Sequence, residues 1–297
     1  MLVGEVTDPT GVQRRIGIIG SCRLHDPLKA AVLAAGGRFV WSAHNAFTHS
    51  PQEAVQHLRM CLGQMEIPDP FAPYTLRQDH SPLLPPTLPE LVRSCDTIVA
   101  EVSTFELLSC GGYVFNQDYF MQTFVRGKGL GVLGWFRDVG MGAPPAEKVA
   151  AAEADMREAG VEVTPSRREI LRALRKRMPE EHESAAAAAQ LAALSPRLVL
   201  VPIFTIVGGQ AKLEEDRRAI AGRLRTIAAG IGADFVDPTP VLTKFGPKVA
   251  LDGNGADIFH YAPGFLATMG KALLDRILRG PQATLEIPSS LVATDAK

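Results

Sequence analysis

Strand-like runs of β-branched residues alternate along this chain with helix-like runs, and that alternation predicts a mainly parallel sheet covered by helices on both faces. Residues 15–19 read as the first strand, 38–41 as a short second, 97–102 as a buried third, 198–204 as the clearest of all and 234–236 as a short last one. Asp26 and Pro27 mark the start of a helix through Leu33, ended by Gly36-Gly37. Ser50-Pro51-Gln52-Glu53 has capping-box spacing, and the helix it opens carries Ala54, Val55, Leu58 and Cys61 or Leu62 on one apolar stripe. Residues 214–229 read as an amphipathic helix with Ile220, Leu224 and Ile227 inward and Arg217, Arg218, Arg223 and Arg225 on a solvated face. A last helix is expected over 265–278.

The middle of the chain reads differently. Residues 67–89 hold seven prolines and must be irregular, because proline lacks an N–H and constrains its predecessor. Residues 113–126 are aromatic and unassigned, and 130–136 read as a strand or a buried loop. Helices are expected over 146–159, over 166–177 behind a capping box of Ser166 and Glu169, and around the alanine run 185–189. The expectation is therefore one α/β domain over 1–279, a three-layer α/β/α sandwich with a helical insertion or lid at about 140–197, and a loose tail over 280–297. At 297 residues and 46% hydrophobic content the chain has ample material for such a core.

The formal net charge of −1 offers no basic excess for nucleic acid. Residues 1–10 lack a basic start and an apolar stretch, and no apolar run approaches the ~20 residues that span a bilayer, so a cytoplasmic protein without a membrane span is expected. Four scattered cysteines without a C-x-x-C pair fit a reducing compartment rather than a zinc site.

Two short stretches carry chemistry. The first strand ends in Gly20-Ser21-Cys22-Arg23, and Asp257-Ile258-Phe259-His260-Tyr261 lies near the chain's end. A serine at a strand tip, an imidazole to take its proton and a carboxylate to fix the imidazole's tautomer make up a Ser-His-Asp relay. Ser21 equally suits the cap of the following helix; Cys22 is a competing nucleophile and Asp252 an alternative orienting acid. Arg23 either binds an anionic group of substrate or pairs with Asp26. His44, His49 and His57 crowd one region, but no cysteine or carboxylate completes a metal set, and no metal is expected. Glu101 ends a buried strand on the edge where parallel sheets bind ligands. Gly208-Gly209-Gln210 lacks the lysine of a phosphate loop and reads as a turn.

The order of these elements, with Gly20-Ser21-Cys22 after the first strand and Asp257/His260 before the last helix, resembles the SGNH (GDSL-like) hydrolase superfamily. Gly-Ser-Cys, together with Phe235-Val236-Asp237-Pro238-Thr239, is most similar to its GSCFA-type branch and to SGNH-like proteins found with bacterial polysaccharide biosynthesis. The likeness spans roughly residues 15–62, 95–105 and 198–278. It implies a serine esterase or O-acyltransferase with Ser21 as nucleophile, His260 as base and Asp257 as its orienting acid, acting on a small-molecule or glycan acyl ester and needing no resident cofactor. Acyl-CoA enters only if the protein is a transferase. The chain departs from the family at two places. Glu101-Val102-Ser103-Thr104 stands where Gly-x-Asn-Asp is expected, and the loop 45–50 lacks the second block's glycine. Arg23, the backbone N–H of Ser21, the loop of Thr48 and His49, Glu101 and the Ser103 hydroxyl are the candidates for binding substrate or the oxyanion. A fold that has lost the chemistry and kept a binding role is the alternative. The acyl group, its acceptor and the oligomeric state stay open.

Overall fold

A computed structural model describes residues 1–41, 47–76, 85–206 and 210–280. Its main sheet has six strands in the order β3-β1-β2-β4-β8-β9. These are β1 (Leu2–Thr7), β2 (Gln13–Ile19), β3 (Arg38–Trp41), β4 (Thr97–Val102), β8 (Leu198–Pro202) and β9 (Asp234–Phe235). β2, β4, β8 and β9 run parallel, and β1 lies antiparallel between β2 and β3. β1 was not read from the sequence; Gly4 interrupts Leu2 and Val6 on one face, and on the other Val3 is followed by Glu5, which is buried against Arg15 and Arg38.

Side chains alternate faces along each strand, so the sheet sorts its own residues into two cores. Ile16, Ile18, Val99, Val199 and Val201 point into one, where α1 (Cys22–Ala34) and the last helix, Leu266–Arg279, pack against each other. A Cβ on Gly270 would overlap the Pro27 carbonyl, so glycine sets how closely those two helices approach. Ile19, Ile98, Ala100, Leu198 and Leu200 point into the other core, against α2 (Pro51–Cys61) and the helices Glu181–Ala193 and Ala211–Ile231. Right-handed crossovers explain the sorting. The connection from β2 to β3 runs one way along the sheet, and those from β3 to β4, β8 and β9 run the other way. Their helices consequently lie on opposite faces. The three-layer α/β/α sandwich with a mainly parallel sheet is the observed fold.

A third core lies apart from these. Strands β5 (Leu107–Cys110), β6 (Tyr113–Phe115) and β7 (Arg175–Arg177) form a small antiparallel sheet in the order β6-β5-β7. With helices α3 (Leu130–Val139), α4 (Ala146–Glu158) and α5 (Pro165–Ala173) they enclose Phe115, Phe120, Phe124, Trp135 and Met156, joined by Phe71 and Tyr74. The unit thus begins well before residue 140. Helix α6 (Glu181–Ala193) lies on the main sheet instead, burying Ala187, Ala188 and Leu191. The differences from the sequence reading have local causes. Val132, Trp135, Phe136 and Val139 are all buried at helical spacing, so 130–139 is a helix rather than a strand. Thr164, not Ser166, caps α5, its side chain accepting from Arg167 N.

Among the described residues no helix is long and apolar enough to cross a membrane. The four cysteines are unpaired. His44, Asn45, Gly208, Gly209 and all but the first residue of the expected tail lie outside the described residues.

Candidate active site

β2 is the point where successive crossovers leave in opposite directions, and a crevice opens there at the carboxyl ends of the strands. Ser21 follows β2 directly. It is the N-cap of α1, its Oγ accepting from Arg23 N at 3.2 Å, so the helix starts at Cys22, four residues before the expected cap at Asp26. Across the crevice, Glu101 rises from the end of β4. One of its oxygens accepts from both Ser21 N (2.7 Å) and Ser21 Oγ (2.6 Å), and the other accepts from Arg23 Nε at 2.9 Å. Gly20 makes this possible: a Cβ there would sit 2.7 Å from Glu101 Cβ. Burial works to raise the Glu101 pKa, but the Arg23 charge and the Ser21 bonds outweigh it and hold the carboxyl below its ordinary value. Arg23 therefore pairs with Glu101 rather than with Asp26.

The stretch from Asp257 to His260 is a self-contained turn. Asp257 Oδ1 accepts from Phe259 N (2.8 Å) and His260 N (3.1 Å), while Oδ2 meets His260 Nδ1 at 2.8 Å. These bonds, the one from Phe259 N foremost, keep the Asp257 carboxyl below its usual pKa. Asp252 does not take that place; its carboxylate accepts from Gly253 N, and its backbone N–H donates to the His260 carbonyl. Tyr261 buries its ring against Phe204 and Phe265 and anchors the turn. Helix α7 (Ala211–Ile231) holds it from the far side through Arg217, which donates to the carbonyls of Phe204 (3.2 Å) and Ile258 (3.0 Å). Arg217 is 2% exposed, and burial lowers its pKa to about 10. The expected solvated arginine face holds for Arg218 and Arg225, whose side chains are 62% and 64% exposed, but not for buried Arg217 or half-buried Arg223, which lie over Phe204 and Phe105.

His49 closes another wall. Its Nδ1 is 2.9 Å from Ser103 Oγ, and its carbonyl accepts from the backbone of Ser103 and Thr104. Its backbone N–H donates to Glu53. Burial, then the Arg23 charge, lowers the pKa of the imidazole.

Ser21, Cys22, Arg23, His49, Phe259 and His260 line one cavity of about 640 Å³, completed by Asp118, Tyr119, Gln122 and Thr123 from the third-core unit. That wall was not read from the sequence, where 113–126 carries no periodic signal. Glu101, Ser103 and Asp257 stand behind the lining residues and hold them. Thr48 is buried with its hydroxyl unpartnered and borders a separate small void beside Glu53, so it does not reach the cavity. The Ser21 N–H, expected to be free for an oxyanion, is taken by Glu101. Ser21 Oγ donates to Glu101 as well, and no hydrogen bond joins it to His260 in this state. Among the described residues His260 Nε2 has no protein partner. Burial raises the Cys22 thiol pKa, which works against a thiolate there. The described residues contain no cluster of three metal-ligating side chains.

A solved structure of a catalytic mutant of Axe2, an acetylxylan esterase from Geobacillus stearothermophilus, is similar over 66% of this chain and 63% of its own, at 12% identity and a TM-score of 0.29, too slight a likeness to bear on function. The Vi polysaccharide biosynthesis protein TviD of Salmonella typhi is 24% identical over 267 residues, covering 88% of this chain and 31% of that protein. This chain therefore spans about a third of that relative's length. The model of the TviD N-terminal domain matches residues 14–276, and the chain belongs to that family.

Proposed function

We propose that the protein is a serine esterase or O-acyltransferase of the SGNH type that acts on an acyl ester of a carbohydrate. One observation carries the reading: an imidazole oriented by a carboxylate, with no partner for its second nitrogen among the described residues, opens onto the same cavity as a serine at the tip of a parallel strand. The TviD relative is a polysaccharide biosynthesis protein, which supports a glycan as the substrate class.

In this mechanism the Ser21 side chain rotates off Glu101 when substrate enters, and Oγ attacks the acyl carbonyl carbon. His260 Nε2 takes the hydroxyl proton while Asp257 holds Nδ1–H. Collapse of the tetrahedral intermediate breaks the ester C–O bond, and His260 returns the proton to the departing alcohol. Water then releases the acid, or a sugar hydroxyl takes the acyl group, with its proton passing to His260 and on to Ser21. No resident cofactor is needed. A transferase draws its acyl group from an activated donor such as acyl-CoA; heat on titration with acetyl-CoA supports that branch, and no heat counts against it.

A fluorophosphonate probe tests the nucleophile. Labelling should be lost in Ser21→Ala, and release of 4-nitrophenol from its acetate should fall to background in His260→Ala. The observation favouring the alternative, a binding module, is that Ser21 is 2% exposed and gives its proton to Glu101. Labelling indifferent to Ser21→Ala removes Ser21 as the nucleophile, and equal background rates of ester release with and without His260→Ala select the binding module.

A further inference from the structure

We propose that His49, as the neutral Nε2–H tautomer, donates the side-chain hydrogen bond that steadies the oxyanion formed at Ser21, an inference that rests on the relay above. The need arises because two of the backbone donors that flank the cavity are engaged. Ser21 N–H goes to Glu101 and His49 N–H goes to Glu53. A tetrahedral intermediate needs donors fixed in advance where its charge develops.

The His49 ring is fixed in that way. Ser103 sits just past β4, and its N–H donates to the His49 carbonyl at 2.8 Å while its hydroxyl meets Nδ1 at 2.9 Å. Nε2 lies 3.6 Å from Asp118 Oδ2, too far for a hydrogen bond but near enough for the carboxylate to favour a proton on that nitrogen. The Ser103 hydroxyl then donates to Nδ1, and Nε2–H is left for the cavity that Ser21 also lines. Burial and the neighbouring Arg23 charge disfavour the imidazolium, which keeps the ring a neutral donor. Neutrality matters: a second imidazolium beside His260 would oppose the charge that His260 must acquire. The same partners argue against His49 as a second base, since a base needs a bare Nε2.

Two measurements test this. In protein labelled with 15N-histidine, long-range proton–nitrogen spectra should show the His49 signals, assigned by their loss in His49→Gln, as protonated at Nε2 and bare at Nδ1. A bare Nε2 overturns the proposal. In the ester assay, His49→Phe should lower kcat by about 10²–10³-fold with KM nearly unchanged. His49→Gln, which keeps an N–H donor, should recover about tenfold or more of that loss. Ser103→Ala, which leaves the cavity lining intact, should lower kcat in the same direction by releasing the tautomer, and keeps the test available if His49→Phe does not fold. Activity lost in Ser21→Ala and His260→Ala but retained in His49→Phe overturns this inference alone. Activity retained in all three overturns the relay as well.

Discussion

Glu101 binds three donors with two oxygens, and its effect on stability follows from what would be left behind without it. Arg23 and Glu101 expose only 11% and 2% of their side chains, so this is a buried pair. Removing one partner of such a pair leaves the other charge without compensation, at about 3–5 kcal/mol, whereas replacing both with apolar groups is often nearly neutral. Glu101→Ala should therefore lower unfolding free energy by about that amount in urea titrations, and Arg23→Met with Glu101→Leu should restore a large part of it. A double variant as unstable as the single one would show that Glu101 acts through something other than Arg23. The same residue marks what a sequence discloses. The Asp257–His260 geometry is legible because four consecutive residues build it. Glu101 reaching Ser21 is not, because it depends on β2 and β4 pairing in register and on Gly20 leaving room for a side chain 81 positions away.

Helix α2 shows the same contrast at the scale of an element. Its start was legible: Ser50 Oγ accepts from Glu53 N at 3.2 Å, with Pro51 in the first turn. The fate of the Glu53 side chain was not, since capping-box residues are ordinarily solvated. Here it is buried beneath the His49 loop and Asn116, and burial raises its pKa from 4.5 to about 8. Between those values the native protein holds a proton that the unfolded chain has released. Stability contributed by this group is thus present at low pH and is lost as pH rises through that window, with a slope of at most about 1.4 kcal/mol per pH unit. Buried His57, whose pKa is depressed, works in the opposite sense at the acid end, so the informative quantity is a difference. Glu53→Gln should gain stability relative to the wild type steadily from pH 5 to pH 8; parallel curves would mean that Glu53 is ionised in the fold. Helix α3 was missed for another reason. Gly131 and Gly134 interrupt a pattern whose aromatic residues also suit strands, and packing against α4, not propensity, decides the matter.

Over the whole molecule, the alternating pattern made the sandwich legible because each crossover is local and its handedness is fixed. The third core was illegible because its sheet pairs Leu107–Cys110 with Arg175–Arg177 across more than sixty intervening residues, a contact that no local pattern announces. Its separateness has a consequence for the site. The segment that encloses Phe120 in that core also presents Asp118, Tyr119, Gln122 and Thr123 to the cavity, so the wall facing Ser21 is only as firm as the third core. Phe120 is fully buried and stacks on Phe124 with ring centroids 4.7 Å apart. Phe120→Ala should cost about 3–5 kcal/mol, felt in this unit first. The chain has two tryptophans, and Trp135 lies in the third core with Nε1 bonded to the Leu171 carbonyl. Trp41 is the one to replace by phenylalanine, because its buried Nε1 has no partner among the described residues. In a Trp41→Phe background, Trp135 fluorescence alone reports the unit while far-UV ellipticity reports the whole fold. Adding Phe120→Ala should move the fluorescence transition to lower denaturant than the ellipticity transition, and ester turnover should disappear with the fluorescence. Coincident transitions would mean that the three cores melt as one cooperative body. The cavity wall would then draw its rigidity from the sandwich, and variants on the two sides of the cavity should couple as strongly as neighbours within one core.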